Sequence, residues 1–364
     1  MGIKGAWETF EHAAIVEPLT ELCLRNGGFS DLSNNSPEYV LGVDANNVLS
    51  RALSPVLGER GLARRHWARE ARSSDLIGAI TSLAGYFNSP CTVVFVFDGP
   101  LKSDMKRDKA IVPRDPRVIK NYKRLLNVLG FNIWEALGEA DADLGIMSKF
   151  GLANSVLSDD SDLFVLGART VLRTRRNDCG LDDRVACYRA VNIRRHGTCG
   201  LDATQLVLLA ILVGNEYEPM GLPGCTQQYA IALARSNLAP QLCDILKAPE
   251  AMEFWRRVDQ FRARLRNELL HNTSGLLPEP LPHIVAEMPD SFPNMDIVRL
   301  LTRPTTSQLS KLQAASRNWR VRMPDLRGLT VLCAELFQWN SEVTLDKLRA
   351  NLFPGICTRF LLRV

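Results

Sequence analysis

Three short apolar runs frame the chain. Tyr39–Val43 (YVLGV) ends in Asp44, Cys91–Phe97 (CTVVFVF) ends in Asp98, and Ser155–Leu157 (SVL) runs into SDDSD. None alternates apolar with polar positions, the pattern of strands covered on both faces in a parallel sheet. Between them the spacing predicts helices over Asp75–Phe87, Val118–Val128 and Ala142–Phe150. This alternation implies an α/β fold: a doubly wound, mostly parallel sheet flanked by helices. After Gly200 the pattern changes. Thr204–Val213 reads as an apolar helix, followed by a turn holding Gly221, Pro223 and Gly224 and by a helix from near Thr226. That is a helix–hairpin–helix layout, whose backbone N–H groups can hold a phosphate without reading bases. An ordinary corner between two helices has the same pattern. Residues 246–364 read as a mainly helical C-terminal extension, broken at Leu277–Pro282 and Pro289–Pro293, with no internal repeat.

Sites in open parallel sheets form outside the carboxyl ends of the strands. Three strands ending in Asp therefore bring Asp44, Asp98 and Asp160/Asp162 to one edge. The stretch GEADAD adds Glu139, Asp141 and Asp143. An acidic first turn favoured by the helix dipole is the competing explanation for these three. Helix geometry does not choose between Asp141 and Asp143 as the partner of Glu139. Two-residue alternation puts Asp159 on the other side from Asp160 and Asp162, as a turn or cap residue. So many carboxylates repel one another without cations, which makes the group costly as pure structure. Hard divalent cations take oxygen ligands, and a two-metal site serves in-line displacement at phosphorus. The candidates are Asp44, Asp98, Glu139, Asp141, Asp160 and Asp162, with Glu216 as a seventh.

Composition adds two points. Hydrophobic residues make up 46% and charged residues 23% of the 364, ordinary for a globular protein. The longest apolar run is too short to span a bilayer, and MGIKGA fits neither a signal peptide nor a myristoylation site. Nine cysteines with no C-x-x-C spacing read as reduced thiols. The sequence stops soon after an apolar segment, which leaves open whether the natural chain extends beyond Val364. Net charge is only +4, but unevenly placed. Leu101–Arg124 holds nine Lys/Arg against three Asp, and Arg60–Arg72, Arg173–Arg195 and Arg256–Arg266 are Arg-rich. Basic stretches beside acidic bunches suit a protein that binds both a polyanion and cations. Taken singly, each basic stretch also fits a solvated helix face.

MGIKGAW, VDANN, FVFDGP, GEADAD, SDDSDLFVLG and GNEYEPMGLPGC follow one another as in the XPG/flap-endonuclease family of Mg²⁺-dependent, structure-specific DNA nucleases. The sequence resembles that family over roughly residues 1–240. FPNMDIVRLLTRPTTS and ELFQWNSEVTLDKLRANLFPGICTRFLLR look like its fungal Holliday-junction-resolvase branch, which the short basic segment after FDGP also suits.

The resemblance implies a PIN-like nuclease core. It implies an N-terminal nuclease region over 1–130 with a basic arch at 101–124, and an internal nuclease region over 131–200. A helix–hairpin–helix region over 201–245 and the extension 246–364 complete it. Metal ligands would be Asp44, Asp98, Glu139, Asp141 (rather than Asp143), Asp160, Asp162 and Glu216. Gly2 would lie near the site, and Lys102 or Arg107 would meet the scissile phosphate. Lys106, Gly221, Gly224 and Thr226 would contact DNA. Implied cofactors are two Mg²⁺ ions, with Mn²⁺ as substitute, and K⁺ at the hairpin. The implied partner is branched double-stranded DNA, bound by a dimer at four-way junctions, in the nucleus and away from membranes. Three positions depart from the pattern: Glu216 stands for Asp, Asp141 for Glu, and Thr226 with Gln227/Gln228 for Gly and Lys. These departures motivate an alternative, a catalytically weakened junction-binding homologue. A phosphohydrolase of small molecules is a third reading, against which the basic stretches and the hairpin argue.

Overall fold

The computed structural model describes residues 2–27, 39–59, 73–102, 105–106, 109–110, 115–174, 183–197 and 199–361. Seven strands form the main sheet: β1 (Ala14–Pro18), β2 (Val40–Asp44), β3 (Thr92–Phe97), β6 (Asn132–Glu135), β7 (Ser155–Leu157), β8 (Thr170–Thr174) and β9 (Arg184–Arg189). Two two-residue strands, β4 (Met105–Lys106) and β5 (Lys109–Ala110), pair separately. The order in the main sheet is β1-β9-β8-β7-β2-β3-β6. The run from β8 to β6 is parallel, and β9 is antiparallel to both of its neighbours. From β2 the chain builds outward to β3 and β6, then returns to the other side for β7 and β8. The direction of winding therefore reverses between β2 and β7, where such sheets open a crevice at their carboxyl edge.

The apolar runs form central strands because both faces are covered. Val94 and Val96 of β3 belong to one core, and Val93, Phe95 and Phe97 to the other. The helix Ala203–Val213 is apolar all round because it is buried all round, from Leu206 to Val213. Asp202 starts it with a reciprocal capping box to Gln205. The C-terminal extension covers both faces. Val258, Phe261, Leu265, Val298 and Leu301 join the first core, and Leu329, Leu332, Leu348 and Leu352 the second.

Several expectations shift. The helix expected over Asp75–Phe87 is a 3₁₀ turn, Ser73–Leu76, followed by an α-helix over Ile77–Asn88. The helix expected over Ala142–Phe150 starts earlier and runs Ala140–Lys149. Pro116 follows the cap Asp115, so the helix Pro116–Val128 also starts earlier than the apolar spacing suggests. The stretch Arg173–Arg195 is not one helix face. Arg173 closes β8 beside Asp159, and Arg184 and Arg189 bound β9. Arg256–Arg266 does lie on a helix, Ala251–His271, where Arg256 and Arg257 pair with Glu253, and Arg262 with Asp259. Arg60–Arg72 lies outside the described residues.

Candidate metal centre

Each acidic candidate sits where an element begins or ends. Asp44 ends β2, and its Oδ1 accepts from Asn46 N and Asn47 N at 2.9 and 3.1 Å, starting the helix Ala45–Glu59. Asp98 follows β3, and its Oδ1 accepts from Ala140 N at 2.9 Å. Glu139 is the N-cap residue of Ala140–Lys149, so Asp141 falls in the first turn. That early start lets Glu139 and Asp141 line the same cavity. Beyond β7, Ser158 Oγ donates to Asp141 Oδ1 at 3.3 Å and accepts from Asp160 N at 3.1 Å. Asp160 Oδ1 accepts from Asp162 N at 2.9 Å, a tight turn that brings both carboxylates forward. Glu216 lies just past the buried helix Ala203–Val213.

A cavity of about 310 Å³ gathers Glu139, Asp141, Asp160, Asp162 and Glu216. Asp160, Asp162 and Glu216 are buried, and each offers an oxygen within 4.8 Å of the other two. Three buried carboxylates at that spacing fit a hard divalent cation, which offsets their mutual repulsion and takes oxygen donors only. Asp44 and Asp98 do not line this cavity; they stand at the neighbouring strand ends. Asp143 is turned away and fully buried, bonded to Trp134 Nε1 and Ser307 N. Asp159 is not simply a turn or cap residue. Its carboxylate pairs with Arg51 and Arg173, and its carbonyl accepts from Trp7 Nε1 at 2.9 Å. Burial pushes the Asp159 carboxyl up, but the charge of Arg51, then its hydrogen bond, and Arg173 outweigh this and hold it below the usual range. The guanidinium of Arg173 in turn lies 4.2 Å from the centre of the Trp7 ring.

The non-acidic candidates divide. Gly2 touches the site: a Cβ there would lie 2.3 Å from Asp160 Oδ1. Lys102 Nζ is 3.6 Å from Asp98 Oδ2, one turn beyond the strand end. Arg107 lies outside the described residues, and so does the side chain of Lys106, whose backbone belongs to β4. Gly221 and Gly224 hold the hairpin at φ 59° and 73°, a region that favours glycine. Thr226 caps the following helix, its Oγ1 accepting from Tyr229 N at 3.4 Å. Gln227 donates to Thr9 Oγ1 at 3.0 Å, tying the hairpin to the N-terminal helix.

Two polar supports were not among the candidates. Tyr217 donates to Glu139 Oε2 at 3.1 Å, and Ser158 holds Asp141. Both adjoin acidic motifs, which is the one sequence signal that could have found them. Leu300, Leu301, Pro304 and Thr305 form the opposite wall. Nothing local in their sequence says so.

The family model described as the XPG I-region matches residues 130–216, the span from the turn before β6 to Glu216. "Single-strand DNA endonuclease 1" of Arabidopsis thaliana is 33% identical over 248 residues, 68% of this chain and 39% of that protein. The chain spans less than half the length of the curated relatives it first matches. A crystal structure of the Holliday junction-resolving enzyme GEN1 with product DNA, Mg²⁺ and Mn²⁺ superposes with a TM-score of 0.74. It is 25% identical, over 100% of this chain and 80% of that one. A eukaryotic junction-resolving enzyme GEN-1 binding potassium superposes at 0.76, with 24% identity, over 100% of this chain and 80% of that one. All five acids of the cavity lie inside the matched region, and the superposition covers the whole chain. Residues 130–216 are thus similar to the XPG I-region, and the chain shares the fold of the junction-resolving enzymes.

Proposed function

We propose that this chain is a divalent-metal-dependent, structure-specific endonuclease that cuts phosphodiester bonds in branched DNA, 5′ flaps and Holliday junctions. The observation that carries this is the meeting of Glu139, Asp141, Asp160, Asp162 and Glu216 in one cavity. Asp160, Asp162 and Glu216 would hold a Mg²⁺ or Mn²⁺ ion, with Glu139, Asp141, Asp44 and Asp98 serving the second. Bound there, the metals supply charge neutralisation and an activated water for in-line attack at phosphorus. Tyr217 and Ser158 orient two of the carboxylates. Lys102, which pairs with Asp98, and Arg107 would meet the scissile phosphate. Gly221, Gly224 and Thr226 at the hairpin, with K⁺, and Lys106 would hold duplex backbone. Recognition would then depend on shape rather than sequence. Action as a dimer on four-way junctions and residence in the nucleus complete the proposal.

Incubation with labelled 5′-flap, Holliday-junction and linear duplex DNA, in Mg²⁺ or EDTA, tests it. Mg²⁺-dependent cleavage of the branched substrates, lost in Asp44→Ala/Asp160→Ala, is expected. Tight junction binding with no cleavage would instead favour a weakened binding homologue. That second reading is motivated by Gln227, whose side-chain amide is engaged with Thr9 inside the protein.

A further inference from the structure

Asp143 is fully buried within one turn of two proposed ligands, yet faces away from their cavity. Its oxygens are divided between distant partners. Oδ2 accepts from Trp134 Nε1 on β6 at 2.7 Å, and Oδ1 from Ser307 N in the C-terminal extension at 2.8 Å. A buried carboxylate is costly, and leucine would fill the space without that cost. What a carboxylate adds is the capacity to accept from both N–H groups at once.

Two more contacts fasten the same segment. Leu137 N donates to Ser307 Oγ at 3.2 Å, and Gly138 lies so close to Thr305 that a Cβ would sit 2.4 Å from its carbonyl oxygen. On its other side, the 137–138 backbone bonds to the turn after β3. Gly99 N donates to Gly138 O at 2.7 Å, and Leu101 N to Leu137 O at 3.0 Å. The loop leading to Glu139 is thus clamped between the Asp98 turn and residues 305–307. Pro304 and Thr305, on that clamping segment, belong to the wall facing the carboxylates.

We infer that Asp143 is a positioning residue. It pins residues 303–308 to the helix of Glu139 and Asp141, and so fixes both the cavity wall and the aim of those carboxylates. The role in catalysis rests on the proposed metal-dependent nuclease reading; the latch itself does not. In Asp143→Asn one acceptor becomes a donor facing another donor. Trp134→Phe removes one of the two donors, so Asp143→Asn/Trp134→Phe should relieve the conflict and leave an acceptor for Ser307 N.

The test measures three quantities in the wild-type chain and both variants. They are amide exchange over 303–308, Mn²⁺ affinity without DNA, and kcat and KM on a junction. In Asp143→Asn, faster exchange confined to 303–308, Mn²⁺ affinity lower by about tenfold and a loss in kcat rather than KM are expected. The double variant should recover part of each. Ser307→Ala, which removes only the Leu137 link, should act in the same direction and more weakly, and serves if Asp143→Asn fails to fold. Unchanged exchange and Mn²⁺ affinity would overturn the inference, as would a general loss of stability that Trp134→Phe does not relieve. A wild-type chain that binds Mn²⁺ but cuts no junction, with Asp143→Asn still weakening Mn²⁺, would overturn the nuclease reading and support the latch.

Discussion

Gly2 has φ +85°, and a Cβ added there would meet Asp160, Ser161 and the Asp162 amide. A methyl group there would have to displace the turn that presents two carboxylates, on a backbone that side chains rarely adopt. Gly2→Ala should therefore raise the Mn²⁺ concentration for half-saturation by about tenfold, measured by calorimetry. Side-chain length matters as much. If the resemblance holds at these positions, Glu216 would reach one methylene further than the aspartate it implies, and Asp141 would stop one short of the implied glutamate. Both line the same cavity. Glu216→Asp is expected to lower kcat, and Asp141→Glu added to it to restore part of the loss. A double-mutant cycle should show coupling of about 1 kcal/mol or more. The five acids that meet in the cavity each adjoin a strand end or a short motif, which is what made them candidates in the sequence. Lines of contact such as Asp159 with Arg51 and Arg173 were not, since the partners are far apart along the chain.

At the scale of elements, an uninterrupted apolar run is readable only where both faces are buried. That condition held for β2, β3 and β7, the strands next to the site. It failed for β1, whose Ile15 and Val16 are exposed; β8 and β9 are buried on both faces, but their arginines gave them the look of a basic stretch. The end of the long helix Ala251–His271 shows another local device. Glu268 is buried and accepts from the side chains of Ser274 and Thr273 and from Ser274 N. Burial alone would push its carboxyl up; those donors outweigh it and hold the pKa below the ordinary 4.5. A depressed carboxyl stabilises the fold above its unfolded pKa and loses that stabilisation as pH falls through its folded value. Glu268→Gln should therefore cost about 1–2 kcal/mol at pH 7 in urea unfolding, with the difference from wild type shrinking below pH 4.5.

Across the whole molecule, the C-terminal extension is less an appendage than a cover. Its first helices pack on one face of the sheet and its last two on the other. Arg359, 2% exposed, fastens the far end. It donates to Phe87 O at 3.3 Å and Arg322 O at 2.8 Å, and stacks 4.0 Å from the Phe87 ring. Arg359→Ala should destabilise the chain by about 3 kcal/mol in urea unfolding, through lost packing and orphaned carbonyls. The helical character of this extension was legible, but its placement was not, because nothing in a local pattern says which sheet face a helix will meet.

The wall at Pro304 and Thr305 has a consequence for the life of the protein. A chain leaves the ribosome from its N-terminus, and its early segments begin to fold first. The acids of the cavity, at 139, 141, 160, 162 and 216, emerge well before residues 304–307, which close it. On the proposed reading, a nascent or prematurely terminated chain carries the acids without a finished cutting site. Completion of the site would then wait on the last third of the chain, by the order of synthesis itself.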